Sequence, residues 1–448
     1  MITLTHQKSP SAQSPAPSAQ SLVSSAQHPA PCTSSKRLRI LVSAYACSPG
    51  RGSEPGMGWN FVLGLSRFHE VHVIAEKLKW EKPVTEFLEQ HPDLAGNLKF
   101  YFIEKKRNKL LRKIWPPSYY WYYRAWQKEA YRLAVELDAR EHFDLVHQLN
   151  MVGYREPGYL WKMAKPFVWG PIGGLENSPW RFLPSLGLVG IVFYVGRNLL
   201  NVWQRRFMVR PRKAAQRPNA SLIAATRANA RYIRQLWDRN SEVICEVGQE
   251  PGQCLAPAKR EAHEPLKILF SGLHISRKNL PLLLKSLQRA SFPFQLHVLG
   301  DGPLRAAWKR AAVKYGVDHA VIWHGWVGRD QAMDLMGRGH VFCITSISDL
   351  TSTVTLEALS YGLPIICLDH CGFSDVVNES CGIKIPVHSP KQAVADFAAA
   401  LETLQRDELF RQRLSAGAVE RAKEYRWDKK IERLNGIYLS LLEKEGSC

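Results

Sequence analysis

Short apolar runs alternate with helix-length amphipathic segments along most of the chain, and that rhythm predicts parallel β-sheets carrying helices. Ile40–Tyr45 is the first strand run, followed by a glycine-rich loop, a helical stretch from about Pro55 to Phe68, and a second strand at Val71–Ala75. Further strand runs fall at Asp144–His147, Phe167–Trp169, Ser221–Thr226 and Val243–Glu246. The alternation starts afresh at Leu266–Ser271 and continues through Gln295–Leu299, Val321–Trp323, Val341–Thr345 and Pro364–Leu368. Between these two blocks, Gly248–Pro265 is rich in Gly, Pro, Gln and Ala and has no sustained period. The expected architecture is α/β: a disordered tail over 1–36, a Rossmann-like doubly wound domain over 37–248, a linker over 249–265, a second such domain over 266–425, and a C-terminal segment over 426–448. The tail is dominated by Ser, Ala, Pro and Gln and carries too little apolar surface to offset the entropy of ordering.

Composition adds a charge problem to this picture. The 448 residues hold 60 Lys plus Arg against 40 Asp plus Glu, a formal net charge of +20, so a polyanion, an anionic membrane surface or a phosphorylated substrate is expected. The positive charge is most concentrated in two amphiphilic segments. Lys105–Lys113 runs into Trp115 and the cluster Tyr119–Trp126, and the apolar stretch Phe182–Val195 is followed by Arg197, Arg205, Arg206, Arg210, Arg212, Lys213 and Arg217. An apolar stretch of about 14 residues is short for a spanning helix, so both segments read as lying at an anionic membrane surface. The competing readings are a solvated basic helix and a core or subunit-contact helix. Aromatics beside cations also suit single-stranded nucleic acid, but no nucleic-acid motif accompanies them. Nine cysteines in no paired rhythm, and a start without a charged region plus apolar stretch, point to reduced thiols and a cytoplasmic protein, peripheral on the inner face of the plasma membrane.

Two stretches carry candidate chemistry. Gly50-Arg51-Gly52-Ser53-Glu54-Pro55-Gly56 links the first strand to the first helix, where an anion is favoured, although its spacing breaks the Gly-x-Gly-x-x-Gly dinucleotide fingerprint and so disfavours NAD. A tight structural turn is the plain alternative. In the second block, Ser346–Ile366 reads as a strand end, a loop and a helix stopped by Gly362 and Pro364. Asp349 stands before that helix, Glu357 lies about two turns inside it, and Thr351, Ser352 and Thr353 bring hydroxyls and N–H groups to its start. A phosphate on the helix end and carboxylates on sugar hydroxyls would suit a sugar attached to a nucleoside diphosphate.

The run from Asp349 to Ile366 resembles the Glu-x7-Glu signature of the retaining glycosyltransferases of family 4, with Asp349 in place of the first Glu and Leu350-Thr351 in place of Phe-Gly. Phe270-Ser271-Gly272 through Arg277-Lys278-Asn279 is similar to that family's strand-loop segment ending in Lys-Gly, with Leu273 where the family carries an arginine. Gly300-Asp301-Gly302-Pro303, His324-Gly325 and the turn Cys371–Asp375 match further family loops, and Trp427 lies where a C-terminal helix crosses back to the first domain. In the first half, Gly52–Gly56 and Gly170–Gly174 look like loops of a bacterial subgroup.

The resemblance implies a GT-B fold, two Rossmann-like domains facing a cleft, with donor bound by the second and acceptor by the first. It implies a transferase that moves a sugar from a nucleoside-diphosphate sugar to a lipid-linked or other glycan acceptor, with retention, no cofactor and no metal. Lys278 and Arg277 would face the diphosphate, Asp349 the transferred sugar and Glu357 the ribose, with Gly272, Thr351, Ser352, Thr353, Gly52 and Ser53 completing the donor site. Glu54, Gly173 and Gly174 would form acceptor-side loops, and His147, following its strand, would face the cleft. The rival expectations are a catalytically degenerate GT-B scaffold at a membrane surface and an NAD-dependent nucleotide-sugar enzyme.

Overall fold

The computed structural model describes residues 37–446 apart from 107, 108, 116, 117, 251–258 and 262, so the expected tail lies outside the described residues. Two wholly parallel sheets form the frame. The first contains β1 (Arg39–Ala44), β2 (Glu70–Glu76), β3 (Leu98–Ile103), β4 (Leu145–Asn150), β5 (Phe167–Ile172), β6 (Ala220–Ala224) and β7 (Glu242–Val243), in the order β3-β2-β1-β4-β5-β6-β7. The second contains β8 (Leu266–Ser271), β9 (Phe294–Leu299), β10 (Val321–Gly325), β11 (Val341–Ile344), β12 (Ile365–Leu368) and β13 (Gly382–Ile385), in the order β10-β9-β8-β11-β12-β13.

Helices cover both faces of each sheet, which is why central strands such as β4, β5, β11 and β12 are buried at every position. The strand order reverses between β1 and β4 and again between β8 and β11. Ligands of doubly wound sheets bind beyond the carboxyl ends of the strands at such a reversal. The loops that matter therefore follow β1, β4, β8 and β11.

The chain returns to the first domain at its end. The helix Trp427–Gly446 packs along the helix Ser53–Leu65, with the Trp427 ring edge-on to Phe61 at 5.3 Å and Ile431 filling the space that a side chain at Gly64 would need. Asn435 lies 2.6 Å from His69, and Tyr438 is fully buried among first-domain residues.

The segment Trp180–Phe207 departs from the expectation of an apolar stretch too short to cross a membrane. It forms 28 helical residues, long and apolar enough by length and composition to do so, because Arg197, Asn198 and Asn201 are diluted by apolar neighbours. Its buried stripe is Gly190, Tyr194, Asn198 and Asn201, whereas Leu188, Val192 and Trp203 are 84%, 74% and 57% exposed. A surface helix of a soluble domain has the reverse polarity. Its first half packs on the second domain, where Phe182, Leu183 and Tyr194 join the core around Leu266 and Phe270. Its second half is tied to the first domain, through Asn198 to Ser178 and Asn201 to Tyr154.

The cationic runs are also less available than their sequence suggests. Lys105 is 3% exposed, Arg210 pairs with Glu156 at 2.9 Å, Arg205 donates to the Leu175 carbonyl and Arg217 to that of Trp161. Arg206, Arg212 and Lys213 remain exposed. Within Lys105–Lys113, Arg107 and Asn108 lie outside the described residues.

Candidate active site

The cleft-side loops of the second domain bring a cationic pair to one carboxylate. After β8 the chain turns at Gly272, whose φ of +150° suits glycine, and a Cβ there would stand 3.1 Å from Lys278 Cε. The missing side chain leaves the path that Lys278 uses. A short turn at Ser276–Lys278 is bound to the loop after β11, the Thr345 hydroxyl donating to the Lys278 carbonyl at 2.7 Å and the Ile347 N–H to the Arg277 carbonyl at 2.9 Å.

The two loops so joined place Lys278 Nζ 2.8 Å, and Arg277 Nη1 2.6 Å, from the same Asp349 oxygen. Burial alone would raise the Asp349 pKa, but the neighbouring Lys278 and Arg277 charges outweigh it and hold the carboxyl below its ordinary value. Leu273 is 41% exposed and offers no charge, so the second cation at Asp349 is Arg277.

Glu357 lies on the helix Thr353–Ser360, nearly buried and 3.2 Å from Arg329. Burial raises its pKa, partly offset by that arginine. Ser352 and Thr353 open this helix, Ser352 with φ +70° and no side-chain cap on the N-terminus. Thr351 does not share that position. It is buried, its N–H donates to Glu246 at 2.7 Å and its hydroxyl to the other Glu246 oxygen at 3.2 Å. The expectation that Thr351 contacts donor phosphate is therefore corrected: both of its donors are spent on the segment that joins the domains.

From the first domain, Gly173 packs against this loop. A Cβ on Gly173 would fall 2.7 Å from a Leu350 methyl, and Gly174 follows with φ +79°. Glu54 accepts from the Val152 N–H at 2.8 Å, and Val152 in turn accepts from the Gly173 N–H at 2.7 Å. Burial raises the Glu54 pKa against the lowering effect of that backbone bond. Ser53 is exposed beside Glu54. At Gly52 a side chain would meet no atom within 4 Å.

His147 is also corrected. β4 runs on to Asn150, so His147 is a mid-strand residue, fully buried, with its ring nitrogens 2.6 Å from the Tyr438 hydroxyl and 2.9 Å from the Gly170 carbonyl. Burial pushes its pKa down to about 4. It joins the C-terminal helix to the first sheet and does not reach the cleft.

Further contacts close the cleft. Arg197 donates to the Ser348 hydroxyl at 2.8 Å, while Arg277 donates to the Ser348 carbonyl at 2.9 Å. Asp375 accepts from the Arg227 N–H at 2.6 Å, at the start of the helix Arg227–Trp237. Glu246, Arg329 and Arg197 had no local signal, since their partners are 105, 28 and 151 positions away.

Residues 255–421 match the family described as Glycosyl transferases group 1. The second domain, with the loops after β8 and β11, lies almost wholly within that match. A sulfoquinovosyl transferase of Arabidopsis thaliana is 27% identical over 228 residues, and a lipopolysaccharide core biosynthesis glycosyltransferase of Rhizobium meliloti is 26% identical over 228 residues. Each alignment takes in 50% of this chain, but only 43% and 64% of those relatives.

Among solved structures, a lipopolysaccharide outer core galactosyltransferase superposes with TM-score 0.58 at 16% identity, over 90% of this chain and 99% of that one. A glycosyltransferase of Rickettsia africae gives 0.61 at 12% identity over 91% and 99%. Anabaena HepE, solved with UDP, gives 0.58 at 13% over 90% and 100%. With the two parallel sheets, these establish the GT-B fold.

Proposed function

We propose that the protein is a retaining glycosyltransferase that moves a sugar from a nucleoside-diphosphate sugar to a lipid-linked glycan acceptor at a membrane surface. The observation that carries the reading is the convergence of Lys278 and Arg277 on Asp349, at the carboxyl end of β8, inside the matched glycosyl transferases group 1 segment. In such a reaction the bond from the anomeric carbon to the diphosphate oxygen breaks, negative charge grows on the leaving diphosphate, and a new bond forms to an acceptor oxygen. Cations fixed where that charge develops lower the barrier instead of merely tightening ground-state binding. Lys278 and Arg277 take that role, with Asp349 orienting both and facing the sugar. Glu357 receives ribose hydroxyls, and Ser352 and Thr353 lie at a helix start that favours phosphate. The reading assigns no metal and no cofactor. HepE, whose structure holds UDP, supports a nucleotide donor, and the lipopolysaccharide-linked relatives support a glycan product.

The membrane part rests on the inverted polarity of the helix Gly187–Phe207. Leu188, Val189, Val192, Phe193, Leu199 and Trp203 form an apolar outer face flanked by exposed Arg206, Arg212 and Lys213. Monomeric soluble proteins seldom expose a contiguous apolar patch beyond a few hundred Å². Aromatic and aliphatic groups beside arginines fit the interface of an anionic leaflet. Because the inner stripe of this helix is bonded to the protein, the helix lies on the surface with the described residues packed against that stripe.

The test is nucleotide release from a panel of UDP-, GDP-, ADP- and dTDP-sugars, with a lipid-linked acceptor extract. Release with one donor supports the reading, and no release from any of them by well-folded protein rejects it. For the membrane part, Val192→Asp with Trp203→Asp should abolish co-sedimentation with phosphatidylglycerol vesicles. Undiminished binding would reject the helix as the contact.

A further inference from the structure

The helix Gly187–Phe207 lies across both loops that hold the cationic pair. Near its start, a Cβ on Gly190 would stand 3.7 Å from the Ser276 side chain, in the turn after β8. About two turns further on, Arg197 Nη1 donates to the Ser348 hydroxyl at 2.8 Å, in the loop after β11. The stripe of this helix that faces the protein is Gly190, Tyr194, Asn198 and Asn201, and Arg197 stands at its edge, one residue before Asn198. Tyr194 belongs to the core of the second domain, and Asn198 is bonded to Ser178 of the first. Arg197 therefore sits where the helix passes from one domain to the other.

The place this arginine reaches is already rich in positive charge. Arg277 donates to the Ser348 carbonyl at 2.9 Å, so two guanidinium groups hold one serine, Arg197 by its hydroxyl and Arg277 by its backbone. The next residue is Asp349, whose carboxylate takes both Arg277 and Lys278 on one oxygen. Arg197 forms no ion pair among the described residues. Its partners there are a neutral hydroxyl and the Tyr194 ring, whose centre lies 5.7 Å from the guanidinium. Burial disfavours its charged form, with Arg155 and Arg277 acting the same way and Tyr194 opposing them.

Three cations gathered about Ser348 and one carboxylate leave two positive charges uncompensated. Like charges held together repel unless an anion lies among them. A nucleoside-diphosphate sugar carries two negative charges on its diphosphate, and a third develops there as the bond to the sugar breaks. Guanidinium groups take phosphate oxygens through their fork of N–H donors, and Ser348 engages only one nitrogen of the Arg197 fork. Arg197 also keeps solvent access, so an incoming ligand can reach it.

We infer that Arg197 is a third donor-site cation, carried in by the helix Gly187–Phe207, and that it binds the diphosphate of the sugar donor together with Lys278 and Arg277. The inference rests on the glycosyltransferase reading and extends the donor site to a residue outside the matched segment 255–421. It gives the helix with the apolar outer face a second task, since the same element then supplies part of the charge that the donor meets.

Calorimetric titration of the full chain with inorganic pyrophosphate reads that charge directly, the relevant event being the one lost in Lys278→Ala. Arg197→Gln should weaken it about tenfold or more. Arg197→Lys, which restores the charge without the fork, should fall between Arg197→Gln and the parent. Ser348→Ala separates contact with the anion from support of the loop, because it breaks the same hydrogen bond and leaves the arginine in place. Binding by Ser348→Ala should therefore stay within about threefold of the parent. An equal loss in Ser348→Ala and Arg197→Gln would make the arginine a prop of the loop and overturn the inference. Undiminished binding in Arg197→Gln, or no binding by the folded parent, would overturn it too. The position is exposed, so Arg197→Gln should melt close to the parent. If it does not fold, Arg197→Met, which keeps the apolar stem over Tyr194, decides in its place.

Nucleotide release separates this inference from the reading beneath it. With a donor that the parent turns over, Arg197→Gln should raise the donor KM and lower kcat, and parent-like values of both defeat this inference alone. Pyrophosphate binding that depends on Arg197, without turnover of any donor, defeats the transferase reading alone.

Discussion

Lys278 Nζ and Asp349 Oδ2 stand 2.8 Å apart, and Arg277 reaches the same oxygen at 2.6 Å, so one carboxylate aligns two cations from adjacent positions of the turn after β8. Removing one positioned charge from a developing oxyanion costs about 10²–10³ in kcat, or about 2.7–4 kcal/mol. Lys278→Ala should lose sugar transfer by that factor and Arg277→Ala by less, in steady-state nucleotide release. Asp349→Asn should lower kcat more than it raises the donor KM, because the cations stay in place but lose their orientation. Parent-like kcat in Lys278→Ala would remove the lysine from the chemistry.

Glu246 and Thr351 connect the segment between the domains to the loop after β11 through two hydrogen bonds, one of them from a backbone N–H. Hydrogen bonds to charged groups contribute about 1.5–3 kcal/mol. Glu246→Gln should lower stability by about that amount in chemical denaturation and raise the donor KM, with a smaller change in kcat. Lys430, fully buried nearby and donating to the carbonyls of Cys245 and Val247, makes the loss of this carboxylate costlier.

Glu176 gives the cleft a pH-dependent stability. Burial, reinforced by Asp375, raises its pKa from 4.5 to about 7, while His370, 3.9 Å away, is itself lowered to about 4 by burial and stays neutral. The folded chain thus keeps a proton over a range in which the unfolded chain has lost it. This contribution is complete below about 4.5 and disappears as pH rises through about 7. Glu176→Gln should flatten the fall in melting temperature between those values, and an unchanged slope would assign the dependence elsewhere.

Gly173 and Gly52 should respond in opposite ways. Gly173→Val places atoms where Leu350 already sits, so the donor loop must shift, and donor KM should rise several-fold. Gly52→Ala meets open space and should leave stability and turnover near the parent values.

The sheets were legible where strands are buried on both faces, because continuous apolar runs such as Ile40–Tyr45 and Leu266–Ser271 have few alternatives. β3 and β13 were missed: both are edge strands, and Lys99 and Lys384 interrupt their apolar character. In the candidate site, Lys278, Arg277, Asp349 and Glu357 carry local motif signals, and the fold brings the first three together. The roles of Thr351 and His147 depended on partners 105 and 291 positions away, Glu246 and Tyr438, which no window of sequence contains. The cationic runs misled for a related reason. Charge dense along the chain is not charge at the surface: Lys105, Arg205, Arg210 and Arg217 turn inward to aromatic rings, a carboxylate and carbonyls.

On the proposed function, Lys278 and its neighbours expel a nucleoside diphosphate from a sugar donor. Incorporation of radiolabelled sugar from each nucleotide sugar into a lipid-extractable acceptor, measured side by side for the parent chain and Lys278→Ala, tests it most directly. Incorporation from one donor by the parent, and about 10²–10³ less by the variant, is expected. Equal incorporation by both, or none by a folded parent with any donor, would contradict it.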